Sequence, residues 1–542
     1  MEPAKDYLPL PSPRHMEWYR RGKIAFIHFS MNTFTDFEWG DGREKPETFA
    51  PTELDCRQWA RVLKEGGFTA AILTVKHHDG FCLWPSAYTE HSVRHSPGAP
   101  DVVGLFTEAC REFGLKPGVY ISPWDRNHPS WGTAAYDDVF AGQLTELMTR
   151  YGTLWECWWD GAGSTEATYD WARWAGIVRK YQPQCLIFGS MGATDFVDVR
   201  WVGNEEGHAG DDCWATIDPE SLRREVCAEL NTGHPEGSRF IPAETNTSIR
   251  PGWFYHREQD DQVMTREELL EYWFRSAGRN TTPLLNLPPD RRGLIHEKDA
   301  LAVKEWEAAL QEIFRQDLAA GGKISGGAGA QALLDPCEDR VWEADSLCPE
   351  LRIDLPQEVE FDCFRLEEAI ERGHRIRRFA VEALTEGGWV TLEEGRCVGF
   401  CRAARFRPLR ASAVRLRITE AVREPVLRRF GIFRGAAPGE RQEETGRELT
   451  ARMTHSGREL EVELGGVYTL DRVVLEQGPE EGWQVRIFNG TRYDPPQEAQ
   501  DGQCLLPEHT GAFRLKVTSD TAFPEDVRVR IFSRAREQRD PT

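Results

Sequence analysis

Short apolar runs alternate with amphipathic segments over about the first 320 residues of the chain. The runs that predict buried strands are residues 24–29, 68–75, 118–122, 154–159, 186–189, 197–201, 240–242 and 283–287. Between most of them, apolar positions follow helical spacing over residues 55–65, 102–113, 139–151, 169–181, 221–230 and 266–278. Eight strands that alternate with helices predict an α/β fold of the parallel (β/α)8, or TIM, barrel type.

Three local features refine this barrel. Thr265 and Glu268 have the spacing of a capping box, which predicts a helix start at that point. The fifth and sixth strand candidates are separated by too few residues for a crossover helix, so we expect an irregular barrel there. Residues 301–314 have the pattern of a final helix that closes the barrel.

After a glycine-rich stretch at residues 321–329, the periodicity of the chain changes to two. Residues 412–419 and 467–475 alternate between apolar and polar positions, and few helical patterns remain. A stretch rich in glycine and charge at residues 434–444 indicates a second boundary. We therefore predict a catalytic barrel over residues 1–320, a β-sandwich over 321–434 and a second small β-sandwich over 435–542.

Composition narrows the range of partners. The 542 residues carry a formal net charge of -22, which argues against nucleic acid or an anionic membrane surface as a partner. The one arginine-rich region, residues 402–417, alternates with apolar residues and is interpreted as a solvated strand face. Nineteen tryptophans are many, and indole faces suit the apolar faces of neutral ligands such as sugars.

The sequence also bears on location. No apolar run is long enough to span a membrane, and the first residues lack the pattern of a secretory signal. Thirteen cysteines are scattered without Cys-x-x-Cys pairs, which favours free thiols in a reducing compartment. We therefore expect a cytoplasmic protein, provided that no leader precedes this sequence.

The first candidate for chemistry is Asp160, which follows the apolar run 154–159 and precedes Gly161. On an extended strand, Asp160 lies at the carboxyl end, where barrel enzymes place their catalytic groups. The structural alternative is that Asp160 caps the next helix or opens a tight turn, because Asp-Gly is common in turns. Further polar residues at other strand ends favour the catalytic interpretation.

Three histidines follow predicted strands, namely His28 after the first and the adjacent pair His77 and His78 after the second. Neighbouring residues of an extended chain point to opposite sides, so the pair does not easily share one metal ion. Hydrogen bonding to a ligand with many hydroxyl groups suits imidazoles better, because each ring can donate and accept. Trp39 and Trp253, in predicted loops, offer aromatic faces for such a ligand.

Acid–base hydrolysis of a sugar needs a second carboxyl group. Glu205 and Glu206 follow the sixth predicted strand, two barrel positions after the strand that ends at Asp160. A carboxylate nucleophile and a carboxylic acid about 5 Å apart are the arrangement for retaining glycoside hydrolysis. Neighbouring tryptophans, Trp158 and Trp201, could give the two groups the different pKa values that this division of roles requires.

Four motifs occur in the order found in one enzyme family. They are Ile-Ala-Phe-Ile-His at residues 24–28, Lys-His-His-Asp-Gly-Phe at 76–81, Trp-Trp-Asp-Gly at 158–161 and Ser-Ile-Arg-Pro-Gly-Trp-Phe-Tyr-His at 248–256. Across residues 15–315 the chain resembles the α-L-fucosidases of glycoside hydrolase family 29. Residues 344–434 also resemble discoidin-type sandwiches, which implies a possible carbohydrate-binding role, with structural support as the alternative.

This resemblance implies roles for individual residues. The nucleophile of the family corresponds to Asp160. The sugar-binding positions of the family correspond to His28, His77, His78, Glu38 and Trp39, with Tyr120 as a less secure aromatic match. The family branch that prefers α-1,3- and α-1,4-linked fucose has Gly-Asn-Glu where this chain has Gly203-Asn204-Glu205. Glu205 is therefore the predicted acid/base, Glu206 is its rival and Glu244 is the third candidate.

The resulting hypothesis is a retaining exo-glycosidase that removes terminal α-L-fucose, α-1,3- or α-1,4-linked, from branched Lewis-type oligosaccharides or glycoconjugates. Neither a cofactor nor a metal ion is needed for the two steps. One alternative is a catalytically silent, lectin-like protein that keeps the fucose pocket. Another is a barrel glycosidase for a related sugar such as galactose. The natural glycan and the oligomeric state are left open.

Overall fold

The computed structural model describes residues 7–161, 167–189, 191–224, 227–334, 340–437, 448–449, 451–468, 470–488, 493, 495–506 and 512–533. The amino-terminal strands are β1 (Ile24–Ile27), β2 (Ala70–Lys76), β3 (Lys116–Ile121), β4 (Glu156–Trp159), β5 (Leu186–Phe188), β6 (Arg200–Trp201), β7 (Thr216–Ile217), β8 (Arg239–Phe240), β9 (Ala243–Ser248) and β10 (Thr282–Asn286).

The helices are α1 (Pro13–Arg21), α2 (Met31–Thr35), α3 (Cys56–Glu65), α4 (Val102–Glu112), α5 (Ala134–Arg150), α6 (Trp171–Tyr181), α7 (Pro219–Arg223), α8 (Cys227–Thr232), α9 (Arg266–Arg275) and α10 (Glu297–Phe314). Short 3-10 turns lie at Pro46–Thr48, Val93–His95, Met191–Ala193, Arg257–Gln259, Ala330–Leu334 and Ile370–Arg372. The Asp55 carboxylate accepts from the amides of Arg57 and Gln58 at the start of α3. The capping box predicted at Thr265 and Glu268 is confirmed at the start of α9.

Eight parallel strands form the barrel sheet in the order β5, β4, β3, β2, β1, β10, β9 and β6. The predicted (β/α)8-like fold is thus confirmed. Between the two outer strands of this order, the described residues show one isolated parallel bridge, from Phe188 to Val199. The barrel is therefore nearly closed and is weakest between its fifth and sixth strands, where the short connection predicts irregularity.

The seventh barrel strand differs from its prediction. The apolar run 240–242 predicts the strand there, but the barrel strand is β9, three residues further on. Phe240 instead belongs to β8, which pairs antiparallel with β7. The strand β9 reads Ala-Glu-Thr-Asn-Thr-Ser, and this polar stretch is buried. Glu244 enters the barrel and accepts from Trp158, whereas Thr245, on the opposite side of the strand, pairs with Thr281.

The barrel strands separate two apolar layers. Phe26, Ile72, Tyr120, Trp158 and Phe188 pack together inside the barrel. The alternate strand positions face outward and pack against the surrounding helices. Trp158 and Phe188 stack with ring centroids 3.9 Å apart, and this pair supports the residues above it at the carboxyl end of the strands.

The barrel is followed by an antiparallel sheet that we name the first β unit (residues 323–433). Its strands are β11 (Lys323–Ser325), β12 (Trp342–Glu343), β13 (Glu350–Glu368), β14 (Ile376–Thr385), β15 (Gly388–Gly395), β16 (Arg402–Ala421) and β17 (Val426–Phe433). Bulges interrupt the pairing of the long strands β13 and β16, and the sheet encloses its own apolar core.

Part of the arginine-rich strand β16 is buried, which corrects its interpretation as a solvated face. Arg405 forms ion pairs with Glu267 and Glu271 of α9, with Nη–Oε distances of 2.6 and 2.5 Å. Arg402 is also buried and pairs with Glu393. Glu267 and Glu271 lie far from Arg405 in sequence, and their ion pairs make this end of the strand a contact with the barrel.

The second β unit (residues 448–533) has two antiparallel sheets packed around a separate apolar core. Its strands are β18 (Glu448–Leu449), β19 (Ala451–Ser456), β20 (Glu459–Tyr468), β21 (Leu470–Glu476), β22 (Trp483–Phe488), β23 (Gln497–Glu498), β24 (Gln503–Leu505), β25 (Ala512–Ser519) and β26 (Arg528–Ser533). The twelve cysteines among the described residues are free thiols. None of the described helices has the long apolar stretch with few charges that a helix needs to cross a bilayer.

Candidate active site

The carboxyl ends of the barrel strands bring together most of the residues singled out from the sequence. His28 directly follows β1, the pair His77 and His78 follows β2, and Asp160 follows β4. Tyr120 is the penultimate residue of β3. In a parallel barrel these strand ends meet at one face, so the side chains enter a common pocket.

Asp160 is held by a neighbouring phenol. The Tyr120 hydroxyl donates to Asp160 Oδ2 at 2.9 Å, and the Tyr120 ring stacks on Trp158 with centroids 5.1 Å apart. Burial, followed by the charge of Asp160, raises the pKa of Tyr120 well above its ordinary value. The hydroxyl therefore stays protonated and orients the carboxylate through a charge-assisted hydrogen bond.

The three histidines surround Tyr120 and contact one another. The His77 ring lies 4.1 Å from His78 and 6.0 Å from His28, between centroids. Burial lowers the pKa of His28 to about 3 and that of His78 to about 4, and it lowers the pKa of His77 well below its ordinary value. All three imidazoles are therefore neutral near pH 7, and each offers one donor and one acceptor.

Neighbouring polar groups determine which nitrogen of each ring carries the proton. His28 Nδ1 donates to Asn286 Oδ1 at 2.9 Å, which leaves Nε2 as an acceptor. His78 Nδ1 donates to Ser122 Oγ at 2.8 Å, because the Ser122 hydroxyl already donates to a carbonyl. His77 Nδ1 accepts from the Asn32 amide at 3.2 Å, which leaves Nε2–H as a donor. Two acceptors and one donor are a pattern that suits sugar hydroxyls.

Glu38 holds the loop that carries Trp253. Its two carboxylate oxygens accept from the backbone amides of Trp253 and Phe254 at 3.0 and 3.2 Å. The His256 ring lies 2.6 Å from both Glu38 Oε1 and Asp36 Oδ1. Glu38, predicted to bind sugar, thus fixes the position of Trp253, whose ring centroid lies 5.0 Å from that of His28.

Glu205 and Glu206 point in different directions. The Trp253 indole N–H donates to Glu205 Oε2 at 2.9 Å, which places Glu205 against the pocket wall. Glu206 Oε2 lies 3.0 Å from His208 Nε2 and contributes to the loop. The Trp253 ring lies 5.0 Å from His28, and His28 lies 5.9 Å from Tyr120, between centroids, while Tyr120 binds Asp160. The structure therefore brings Asp160 and Glu205 to one pocket.

The turn before Glu205 depends on glycine. Gly203 has a φ of +88°, and a Cβ at this position would lie 2.5 Å from the Cys227 carbonyl oxygen. The next residue, Asn204, accepts from the Glu206 amide at 3.1 Å and donates to the His208 carbonyl at 2.9 Å. Gly203-Asn204 thus sets a tight loop that sends consecutive glutamates to opposite sides.

Two tryptophans form the wall beyond His78. The Trp39 ring packs edge-to-face on His78 at 5.5 Å and on Trp124 at 5.7 Å, between centroids. The loop of Trp39 is held by Arg126, whose guanidinium donates to the Gly40 carbonyl at 2.7 Å. Trp39 is half-buried, so part of its indole face remains available to a ligand.

One group of side chains among the described residues has distances compatible with a metal ion. The donor atoms of Asp36, His256 and Glu258 lie within 4.8 Å of one another. Burial lowers the pKa of His256, but Glu38 and Asp36 outweigh burial and raise it to about 9. Both ring nitrogens of His256 face carboxylates, those of Asp36 and Glu38, so the imidazolium and its acidic neighbours form an ion-pair cluster in this structure.

Glu244, the third acid/base candidate, is buried inside the barrel. As the second residue of β9, it accepts from the Trp158 indole N–H at 3.0 Å. Burial raises the pKa of Glu244 to about 8, and burial and the charge of Glu244 raise the pKa of Glu156 well above its ordinary value. Both carboxyl groups lie beneath the pocket floor, away from any departing group at the strand ends.

This buried pair makes stability depend on pH. The folded protein binds protons at Glu156 and Glu244 more tightly than the unfolded chain, so stability is lost as pH rises from about 4.5 towards 8. For Glu156→Gln, which removes one titration, we expect unchanged stability at pH 5. At pH 8 we expect the variant to be more stable than the parent, because only the parent must then keep a carboxyl group protonated, or bury its charge, at position 156.

Denaturant unfolding at both pH values measures this gain. The matched control is Glu108→Gln, the same change at an exposed position of α4, for which the difference from the parent should not vary with pH. If the free energy of unfolding of Glu156→Gln differs from that of the parent by the same amount at pH 5 and pH 8, the buried-carboxyl explanation is wrong.

Several residues of the site were not identified from the sequence. Phe254 packs edge-on against His28 at 5.3 Å and His77 at 5.0 Å, and Trp124 lies 5.0 Å from His78, between centroids. Asn286, the last residue of β10, was detectable because it is polar and ends an apolar strand. Phe254 had no such signal, since a phenylalanine in a loop is equally compatible with a packing role.

Comparison with known proteins agrees with this geometry. A protein-family model described as alpha-L-fucosidase matches residues 10–310. Alpha-L-fucosidase 1 of Arabidopsis thaliana is 35% identical over 455 residues, which cover 79% of this chain and 88% of that protein. The crystal structure of a glycoside hydrolase 29 family member from an unknown rumen bacterium is 32% identical, with a TM-score of 0.72 over 97% of this chain and 100% of that chain. A Ruminococcus gnavus glycoside hydrolase 29 fucosidase in complex with fucose is 28% identical, with a TM-score of 0.75 over 81% of this chain and 98% of that chain.

Proposed function

The chain belongs to glycoside hydrolase family 29 and is an α-L-fucosidase, and on that basis we propose that it removes terminal α-1,3- and α-1,4-linked L-fucose from branched, Lewis-type glycans with retention of configuration. The observation that carries the proposal is the shared pocket of Asp160 and Glu205, which are linked through Tyr120, His28 and Trp253. A retaining glycoside hydrolase needs two carboxyl groups at the pocket that binds the sugar.

In the first step, an Asp160 oxygen forms a bond to the anomeric carbon of fucose while the bond to the departing oxygen breaks. Glu205, in its acid form, gives its proton to that oxygen, and the product is a covalent fucosyl-enzyme. The Tyr120 hydroxyl supports this step because it fixes Asp160 Oδ2 and orients the carboxylate for attack.

In the second step, Glu205 takes a proton from water and the water oxygen attacks the anomeric carbon. The bond to Asp160 breaks, and fucose leaves with its original configuration. His28, His77 and His78 bind the sugar hydroxyls in this scheme, since they are neutral and supply two acceptors and one donor. The R. gnavus fucosidase was solved with fucose, which supports fucose as the sugar of this pocket.

Hydrolysis of 4-nitrophenyl α-L-fucoside tests the proposal. Release of nitrophenol, with α-L-fucose as the first product in proton NMR spectra, supports a retaining enzyme. The β anomer as first product rejects the retaining mechanism. Fucose binding without any hydrolysis supports the lectin-like alternative instead, and faster hydrolysis of the α-galactoside supports the related-sugar alternative.

The proposed linkage preference gives a separate prediction. We expect release of fucose from trisaccharides with α-1,3- or α-1,4-linked fucose on a branched residue, and about 100-fold slower release from an α-1,2-linked isomer. A difference of this size corresponds to ~2.7 kcal/mol in transition-state binding, within the range that one specific polar contact provides. Chromatographic quantification of fucose from each isomer measures it, and equal rates contradict the preference.

The remaining sequence-based expectations concern the rest of the chain and its location. Boundaries near residues 320 and 434, a discoidin-like sandwich over residues 344–434 and a cytoplasmic location stay predictions. The partner that we propose is a fucosylated oligosaccharide or the glycan of a glycoconjugate. Binding of that glycan by the first β unit alone, measured by calorimetry, is a test of a carbohydrate-binding role for that unit.

A further inference from the structure

The second β unit contacts the wall of the active-site pocket through one arginine. The Arg514 Cζ atom of β25 lies 6.0 Å from the centroid of the Trp39 ring. About 475 residues separate these positions in sequence, so the contact depends on how the second β unit sits on the barrel. Trp39 in turn packs on His78 of the active-site pocket.

The strand pairing explains why Arg514 faces outward from its own sheet. Its neighbours in sequence order, Leu515 and Val517, lie in the apolar core of the second β unit. Arg514 alternates with them and shares the opposite face with its cross-strand partners Glu463 and Phe488. The outer face of the sheet at this position is therefore the one that meets the pocket.

The guanidinium is held in place but retains a donor. Arg514 Nη2 donates to Glu463 Oε1 at 2.8 Å, and the side chain is only 26% exposed. Its Nε–H is buried and has no hydrogen-bond partner among the described residues. The Nε–H is closed off from solvent, so a ligand oxygen would accept from the part of the guanidinium that the 26% exposure of the side chain leaves open.

The position of Arg514 identifies the part of a substrate that it can reach. Fucose fills the space between Asp160 and the histidines in the proposed function, and the departing saccharide extends outward from the acid/base. Trp39 forms the outer wall of the pocket, and Arg514 lies beside that wall. An indole face together with an arginine donor is a combination that binds the apolar face and the hydroxyls of one sugar ring.

We propose that Arg514 of the second β unit, together with Trp39, forms a binding site for the saccharide that leaves when fucose is released. The inference rests on the proposed function and adds a residue that selects oligosaccharides over small leaving groups. Arg514 thus serves leaving-group recognition, while the reacting groups belong to the barrel.

The test compares Arg514→Ala with the parent on two substrates, 4-nitrophenyl α-L-fucoside and a trisaccharide with a branched fucose. For the trisaccharide we expect kcat/KM to fall about tenfold, mainly through KM, which is the effect of losing one hydrogen bond from a charged donor. For the aryl fucoside, which lacks the departing sugar, we expect less than a twofold change. The defucosylated disaccharide should also inhibit aryl fucoside hydrolysis about tenfold more weakly.

The matched control is Arg486→Ala, the same loss of charge at an exposed position of the same sheet. This variant should have the same kcat/KM as the parent for both substrates, and the disaccharide should inhibit it as strongly as it inhibits the parent. Arg514→Lys keeps the charge without the fork of donors and should give an intermediate loss; it also serves if the alanine variant does not fold. An equal loss on both substrates, or no loss on the trisaccharide, overturns the inference. An inactive parent enzyme on both substrates rejects the proposed function itself.

Discussion

Asp160→Asn is expected to lower kcat for 4-nitrophenyl α-L-fucoside by about 10⁴-fold or more, the scale found when an enzyme loses its nucleophile. The amide has nearly the same size as the carboxylate and can still accept from the Tyr120 hydroxyl. It is a much weaker nucleophile, so the fucosyl-enzyme does not form at a useful rate. Initial rates at saturating substrate measure the effect.

Two controls separate this loss from misfolding. Asp138→Asn makes the same change at an exposed helix position that pairs with Arg173, and it should leave kcat unchanged. Thermal unfolding and fucose binding of Asp160→Asn should match the parent, because the change leaves the pocket shape intact. Activity above about 1% of the parent would reject Asp160 as the nucleophile, since the loss of a nucleophile costs far more.

The product formed with azide gives an independent check. In Asp160→Ala, azide can enter from the side of the missing carboxylate and displace nitrophenol, which yields β-L-fucosyl azide with inverted configuration. An α-configured azide from this variant would place the nucleophile on the other face of the sugar.

Much of the barrel could be predicted because its buried strands are apolar and its helices are amphipathic. The strand β9 was misplaced for the opposite reason. Its sequence Ala-Glu-Thr-Asn-Thr-Ser is polar, and only the structure shows that Glu244 finds a partner inside the barrel and Thr245 finds one on the outer side of the strand. Apolar patterns identify a strand only where the core is apolar, and the centre of this barrel holds a carboxyl pair.

The site residues at strand ends could be predicted because a parallel barrel gathers those ends at one face. His28, His77, His78 and Asp160 meet there, although their individual roles stay predictions. The direction of each side chain was beyond sequence reasoning. Glu38 contacts backbone amides of a loop 215 residues away, and such a contact depends on tertiary packing that no local pattern encodes.

The same limit explains why Arg514 was not considered as a site residue. In the sequence it is one of many charged residues on an alternating strand, for which exposure to solvent is the default interpretation. Its approach to Trp39 arises from the placement of the second β unit on the barrel. Residues that complete a site from a separate unit are therefore the least accessible to motif-based prediction.

The choice between Glu205 and Glu206 leads to the second large effect. Glu205→Ala should lower kcat/KM for a fucosylated trisaccharide by about 10³-fold, because the departing sugar oxygen needs a proton. With 4-nitrophenyl fucoside the rate of the first step should fall much less, since nitrophenolate leaves without protonation. The fucosyl-enzyme then accumulates, because no base activates water, and nitrophenol should appear in a burst equal to the enzyme concentration.

Azide should relieve this block because it attacks the fucosyl-enzyme without needing a base. We expect the steady-state rate of Glu205→Ala to rise about tenfold or more with azide, with α-L-fucosyl azide as the product, since attack on the intermediate retains the configuration of the substrate. Glu206→Ala is the matched control, because it removes a neighbouring carboxylate that pairs with His208 and should show neither the burst nor the rescue. Burst and rescue in Glu206→Ala alone would transfer the acid/base role to Glu206 and would mean that the loop at Gly203 turns over when substrate binds.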